Sequence, residues 1–327
     1  MKVDRLDRLD AVGEAAWNGL LARSGFPSPF LSWAWQTAWL EVFGEGRPVR
    51  LLRVEDAAGE LAGLLPLHEE RAGLLRILGG VDVSDYLDLI APAGAEEETW
   101  AALLQHRAAS AETWDLHAIR AGSPTVGLLP ALAPAYGLAA TAAVEEHCPV
   151  LDLPATWAAY LALLTGKQRH ELGRKMRRLE RERPGARAVS YATRGELEAR
   201  LPQFFALHRG SRTGKARFMD ERMERFFRAA VGALAERGMA RLWLLEHEGR
   251  ALATFVCLEW AGAVGVYNSG FDVAEAALSP GIVLLAHVIG DAIGRGLARF
   301  DFLRGEEPYK LGFGARREDL YRIEVTR

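Results

Sequence analysis

The stretch from Tyr267 to Lys310 constrains the fold more than any other part of the chain. Tyr267-Asn268-Ser269-Gly270-Phe271-Asp272 reads as a strand, and Ser279-Pro280-Gly281 opens a long apolar run of helical character. Asp301-Phe302-Leu303-Arg304-Gly305-Glu306-Glu307-Pro308-Tyr309-Lys310 reads as a second strand that runs into a polar loop. Strand, helix and strand in that order ask for a mixed sheet with a helix packed on its face. Small uncharged residues sit where the helix begins, and charged and phenolic residues follow the next strand. A segment that served only a core would not need so many polar groups at two adjacent turns.

The helix start is the sharper of the two signals. Pro280 at the first helical position costs nothing, because that N–H would have no helical partner. Ser279 is expected to cap the helix, and Gly281 leaves room for a ligand to approach the backbone. The unpaired N–H groups and the positive end of the helix dipole suit an anion, and a pyrophosphate would fit there. The same three residues would also serve an ordinary capped helix. No G-x-x-x-x-G-K-[ST] loop and no Rossmann glycine spacing occurs in the sequence.

Three further pieces carry chemistry. Residues 167–183 read as a helix with eight basic and three acidic residues, a net of +5 that leaves −8 for the rest of the chain. Leu172, Met176 and Leu179 form an inward stripe at i, i+4 and i+7. The basic residues form either a solvated face or a wall that attracts a phosphorylated ligand. Over Asp301–Lys310, at the end of the expected strand 300–303, Asp301, Glu306 and Glu307 offer carboxylates, which serve as bases where burial raises a pKa, or else a surface turn with a local ion pair. Tyr309 and Lys310, adjacent in extended chain, would point different ways. His208, in Leu207-His208-Arg209-Gly210-Ser211-Arg212, is a proton shuttle or a capping residue at a helix end. The sequence has no G-x-S-x-G elbow and no metal-ligand spacing, and no metal is expected.

Length decides the domain count. At 327 residues the chain fits two domains of ordinary size, placed at 1–152 and 153–327. Each half reads as a hairpin, a strand, a helix and later strands. The first half is expected to carry a helix at 33–43 capped by Ser32, with Trp33, Trp35 and Trp39 as a core cluster, and strands at 49–55, 61–68, 74–78, 86–90, 114–119, 138–144 and 150–153. The second half is expected to carry helices at 196–209, 220–237 and 280–296. Its strands are expected at 186–191, 241–247, 251–260, 263–271, 300–303 and 320–326. The fold class is α/β of mixed α+β character. Net charge of −3 excludes a general nucleic-acid binder. Cys148 and Cys257 are too few for a disulfide framework. The first residues lack the apolar core of a signal peptide and no apolar run reaches spanning length, so a cytoplasmic protein is expected.

Taken together, these residues resemble a known family. Lys167-Gln168-Arg169-His170-Glu171-Leu172-Gly173-Arg174-Lys175 is similar to the K-x-R-x-x-x-R-[RK] helix of the CelD-like and BioF2-like GNAT acyltransferases, with one residue more before Arg174. Leu207-His208 with Arg212 is similar to their L-H-x-x-[RW] segment, with one residue more before Arg212, and Tyr267–Asp272 to their Y-x-x-G-x-D strand. Ser279-Pro280-Gly281 is similar to the S-P-G turn, and Asp301–Lys310 to the D-F-x-x-G-x-x-x-Y-K ending. The match covers roughly residues 150–312, while the first half echoes it only at Ser84-Asp85-Tyr86.

The resemblance implies two tandem GNAT-like domains, each a mixed, mostly antiparallel sheet flanked by helices, as in Fem-type peptidyltransferases. The first would be degenerate. It implies acyl-CoA as donor substrate, with phosphates on Ser279, Pro280 and Gly281, although the usual R/Q-x-x-G-x-G/A loop is absent. It implies direct attack by an amine or hydroxyl of a bulky acceptor: an amino sugar, saccharide or peptide. Tyr267, His208, Asp301, Tyr309 and Lys310 are the catalytic candidates. Arg212, Arg169, Arg174 and Glu306 are the substrate-binding candidates. Two rival readings are a Fem-type transferase using aminoacyl-tRNA, and a non-catalytic scaffold in polysaccharide or envelope assembly.

Overall fold

Local signals set most of the elements. Ser32 accepts a hydrogen bond from Trp35 N–H and Asp220 from Met223 N–H, each opening a helix. Thr165 and Gln168 form a reciprocal capping box. The computed structural model describes residues 1–211, 213–305 and 307–327; Arg212 and Glu306 lie outside the described residues. In chain order the elements begin with β1 (Lys2–Leu6), α1 (Glu14–Arg23), α2 (Trp33–Phe43), β2 (Val49–Glu55), β3 (Leu61–Arg71) and β4 (Leu74–Ile77). They continue with α3 (Glu96–Ala108), β5 (Thr113–Arg120), α4 (Thr125–Leu132), β6 (Ala139–Asp152), α5 (Trp157–Leu163) and α6 (Gly166–Glu182). Then come β7 (Arg187–Tyr191), α7 (Arg194–Ser211), α8 (Thr213–Phe218), α9 (Glu221–Ala235), β8 (Ala240–His247) and β9 (Arg250–Trp260). The last are β10 (Ala263–Phe271), α10 (Pro280–Gly294), β11 (Arg299–Asp301), α11 (Pro308–Gly312) and β12 (Arg316–Thr326).

The chain divides into two units, Met1–His147 with Glu318–Arg327, and Cys148–Arg317. In the first unit β1, β2, β3 and β4 are antiparallel neighbours, β4 runs parallel to β5, and β12 pairs antiparallel with β5. Trp17, Trp35, Trp100 and Trp114 are fully buried there. Trp35 Nε1–H donates to Ser84 Oγ at 2.8 Å, and Trp100 Nε1–H donates to Thr125 Oγ1 at 3.0 Å, so these two rings are buried with their polar atoms satisfied. On β5 the buried Asp115 accepts from Arg76 Nε at 2.9 Å and Arg322 Nε at 2.6 Å. His117 lies between two carboxylates, Nε2 3.0 Å from Asp115 and Nδ1 2.7 Å from Glu145.

In the second unit β7, β8, β9 and β10 are antiparallel neighbours. β10 runs parallel to β11, and β11 pairs antiparallel with the last residues of β6. α10 is the crossover between the parallel strands. Its Val283, Leu284, Ile289 and Ile293 pack into a core with Phe255, Cys257, Phe300 and Phe302. Leu172 and Leu179 of α6 are buried and Met176 is packed against the same core, as the helical spacing requires.

Several expectations are corrected. Residues 86–90 form no strand; Ile90 makes only an isolated bridge to Leu64. The two strands expected over 138–153 are one, β6. The first residues form β1, a strand not expected from sequence, because Val3 and its neighbours pair with β2. The closing strand pairs with β5 of the first unit, although sequence order groups it with the second half. Among the described residues, no helix is long and apolar enough to cross a membrane.

Candidate active site

The site is built around the second half of β10. On one edge β10 pairs with β9 along its length, with a bulge at Tyr267: Val266 lies opposite Cys257 and Asn268 opposite Val256. On its other edge the pairing with β11 runs only over Ala263–Gly265 and Arg299–Asp301. Beyond that point β11 ends and, among the described residues, β10 continues without a strand partner on that side. The bulge and the short β11 together open the sheet at Asn268–Phe271, and bulges commonly re-aim side chains in this way.

A cavity of about 250 Å³ lies at this opening. Ser269, Gly270 and Phe271 of β10 form one wall, and Ser279, Pro280, Gly281 and Ile282 at the start of α10 form another. Phe255 of β9, which pairs with Ser269, is also at the wall. Ser211 ends α7 at its edge, and Glu307 and Tyr309 reach it from the segment after β11.

The helix start differs from the expected cap. Ser279 is in the left-handed region (φ 53°, ψ 49°) and makes no side-chain capping hydrogen bond. Its carbonyl accepts from Ile282 N–H at 3.0 Å and Val283 N–H at 3.2 Å. Left-handed geometry costs a non-glycine residue about 1–3 kcal/mol. Pro280 has no N–H, so the Gly281 N–H is the first orphan donor of α10. A Cβ built on Gly281 meets nothing within 4 Å. The first turn therefore has unused space beside an unused donor.

α7 crosses β10 at Gly270. A Cβ there would stand 2.4 Å from His208 N and 2.6 Å from Leu207 C, both backbone atoms. His208 is 1% exposed, and its Nε2 is 2.9 Å from Asn268 Oδ1. Its ring contacts Phe204 and Phe218. It lies behind the cavity wall, where its carbonyl accepts from Ser211 Oγ at 2.8 Å.

The polar loop is also folded differently from the extended reading. The buried Asp301 accepts from Leu303 N–H at 2.8 Å, Leu303 has φ 53° and Gly305 φ 116°. Tyr309 and Lys310 lie on the short helix α11. Adjacent helical positions are about 100° apart, and here Tyr309 is at the cavity while Lys310 turns into the loop. Lys310 is 4% exposed. Its Nζ donates to Arg304 O at 2.8 Å and Gly305 O at 3.1 Å, and lies 2.9 Å from Glu307 Oε2.

Of the residues singled out from sequence, Ser279, Pro280, Gly281 and Tyr309 meet at the cavity. His208, Asp301 and Lys310 stand behind its walls as parts of the framework. Tyr267 stacks on Phe227, with ring centroids 5.4 Å apart. Arg169 and Arg174 are exposed on α6, Arg169 donating to Leu161 O and Arg174 to Glu171, and neither lines the cavity. Sequence reasoning missed Ser269 and Ser211 as lining residues, although both lie in segments it singled out. It also missed Asn268 as the partner of His208, for which a polar residue inside a strand was the available signal. Phe255 carries no signal, being one apolar residue in an apolar strand. Among the described residues no cluster of His, Cys, Asp and Glu converges as a metal site.

Residues 166–311 match the family described as the acetyltransferase (GNAT) domain. No curated protein sequence matches the chain. The structure is similar to a protein of unknown function from Bacteroides thetaiotaomicron, with a TM-score of 0.67 and 11% identity over all of both chains. It is similar to FemX, with a TM-score of 0.66 and 11% identity over 98% of this chain and 97% of that one. It is similar to the L-PGS of Bacillus licheniformis, with a TM-score of 0.60 and 13% identity over 94% and 90%. Identities this low speak to fold. Residues 166–311 thus match the acetyltransferase (GNAT) domain, and the fold of the whole chain is similar to that of FemX.

Proposed function

We propose that the second unit moves an acyl group from acyl-CoA to an amine or hydroxyl of a bulky acceptor, an amino sugar, saccharide or peptide, by direct attack. The observation that carries this reading is the cavity at the start of α10, lined by Ser279, Pro280 and Gly281 and open beside the unpaired edge of β10. The donor's pyrophosphate fits the positive end of α10, with Gly281 supplying an N–H and room. Its thioester arm would run along the unpaired edge of β10. The acceptor atom attacks the thioester carbonyl, a C–N or C–O bond forms, and the C–S bond breaks. The thiolate takes up a proton, for which Tyr309 at the cavity is the proposed donor, and the acceptor's proton passes to solvent. Proximity of the two substrates supplies much of the rate. In this reading Lys310 and Asp301 order the loop that carries Tyr309, His208 and Tyr267 brace α7 and α9 against β10, and Arg169 and Arg174 meet the acceptor or the donor's outer phosphates.

A Fem-type reading, with aminoacyl-tRNA as donor, is favoured by the whole-chain likeness to FemX. It is also favoured by the exposed basic residues Lys167, Arg174, Arg177 and Arg181 along one face of α6. A thermal-shift titration with acetyl-CoA, longer acyl-CoAs and free CoA separates the two. Ligand at about 100 times its Kd stabilises the fold by about 2.7 kcal/mol. Expected is a saturable shift that is lost in Gly281→Leu while the melting temperature of the free variant is kept. No shift with any CoA, together with copurified tRNA, would favour the Fem-type donor.

A further inference from the structure

No residue of α6 lines the cavity, and the helix presents a surface of its own. At about 100° per residue, Lys167, His170, Arg174, Arg177, Arg178 and Arg181 fall within an arc of roughly 100°. That arc lies opposite Leu172, Met176 and Leu179, which pack into the core. The acidic residues Glu171, Glu180 and Glu182 fall outside it. The outward face is therefore basic over about four turns, a length of about 21 Å. The chain outside residues 167–183 carries −8, so the positive charge is local to this helix. Arg174 and Arg181 have carboxylate neighbours in Glu171 and Glu182. Among the described residues Lys167, Arg177 and Arg178 make no ion pair. Arg174 and Arg178, and Arg177 and Arg181, are like charges four residues apart, a spacing that destabilises a helix in water. An anionic surface laid against the arc relieves that repulsion.

An exposed apolar side chain stands near each end of this face. Leu163 closes α5 and is 62% exposed. Arg169 Nη1 donates to Leu161 O at 3.0 Å, which ties the end of α5 to the first turn of α6. Val273 opens the short 3-10 turn Val273–Leu278 and is 55% exposed. Glu275 in that turn pairs with Arg183, just past the other end of α6, at 2.9 Å. Leu163 and Val273 are the two most exposed large apolar side chains among the described residues. An anionic bilayer matches both features, since its headgroup phosphates suit the basic arc and its interfacial layer takes up aliphatic side chains. RNA would also offer phosphates. It would find no Phe, Tyr or Trp on the arc for its bases to stack on, and would leave Leu163 and Val273 in water.

We infer that this face of α6, with Leu163 and Val273 near its ends, docks the protein on an anionic lipid bilayer. The inference holds whichever donor the cavity takes. The test sediments the full chain with vesicles of phosphatidylcholine alone and of an equal mixture with phosphatidylglycerol. Expected is partition onto the mixed vesicles only, lost as added salt shortens the reach of the charges. A basic residue close to an anionic surface strengthens binding about fivefold. The triple variant Lys167→Gln, Arg177→Gln, Arg178→Gln should therefore lower the partition coefficient about a hundredfold. Leu163→Ser should lower it severalfold and keep the salt dependence, because it removes an apolar contact and no charge. Melting temperatures show that the variants fold; if the triple variant does not, Leu163→Ser and the salt series still decide. No partition onto the mixed vesicles at low salt, or unchanged partition in the folded triple variant, would overturn the inference. So would wild-type partition in Leu163→Ser. Binding of bulk tRNA without any vesicle partition would likewise overturn it and assign the face to nucleic acid.

Discussion

Replacing Gly270 by alanine tests the packing that places the cavity wall. The added Cβ would lie 2.4 Å from His208 N, 2.6 Å from Leu207 C and 2.8 Å from His208 Cα. All three are helix backbone, so no rotamer change relieves the overlap, and α7 must retreat from β10 by about 0.6–1 Å to restore ordinary contact. Overpacking of this kind costs about 1–3 kcal/mol. The His208–Asn268 hydrogen bond crosses the same junction, and its loss adds about 1 kcal/mol. A total of about 2–4 kcal/mol corresponds to a fall in melting temperature on the order of 10 °C for a domain of this size. The control is Gly281→Ala, whose Cβ meets nothing within 4 Å. Alanine is the better helix former, so that variant should keep wild-type stability or gain slightly. Urea unfolding gives the two free energies, and hydrogen exchange localises the damage, with faster exchange expected along α7 in Gly270→Ala. A Gly270→Ala variant within about 0.5 kcal/mol of wild type would refute the close-approach argument, as would equal losses at the two glycines.

Two further perturbations test other parts of the reasoning. Burial works against the charged form of His117, but its hydrogen bonds to Asp115 and Glu145 outweigh that and raise its pKa above the usual 6.5. Because the folded-state value is the higher, this stabilisation is fully present below about pH 6.5 and is lost as pH rises through the raised value. First-unit stability should decline over that window in the wild type and much less in His117→Gln; equal pH profiles would dismiss the argument. Lys310→Met removes the ammonium that holds Arg304 O, Gly305 O and Glu307. It should cost about 1–3 kcal/mol, discounted for the partial exposure of Glu307, and also lower transfer activity. A variant that loses activity at unchanged stability would instead place Lys310 in the chemistry.

What could be read along the chain is what neighbours in sequence decide. Caps at Ser32, Thr165 and Asp220 follow from side chains that reach a backbone N–H two or three residues on. The β8–β9 hairpin and the inward stripe of α6 follow from turn chemistry and from periodicity. Ser279-Pro280-Gly281 stood out because a proline, a small residue and a following apolar run coincide only at a helix start. Residues 166–311, which match the GNAT domain, contain this turn.

Tertiary structure decided the rest, because it depends on which distant segments meet. Residues 86–90 have strand composition but no partner beyond one bridge, and composition cannot supply a partner. β12 is taken into the first unit by its pairing with β5, a contact some two hundred residues away in sequence. The bulge at Tyr267 exists only in register against β9, and the opening of the sheet only because β11 stops after three residues. Tyr309 and Lys310 differ in fate because α11 turns one to the cavity and the other to the loop carbonyls. The sequence thus determined that a helix start with a proline and small residues lies between two strands of the segment that matches the GNAT domain. Only the folded chain decided which side chains share a cavity with that helix start, since pairing register and close approach are properties of segments far apart along the chain.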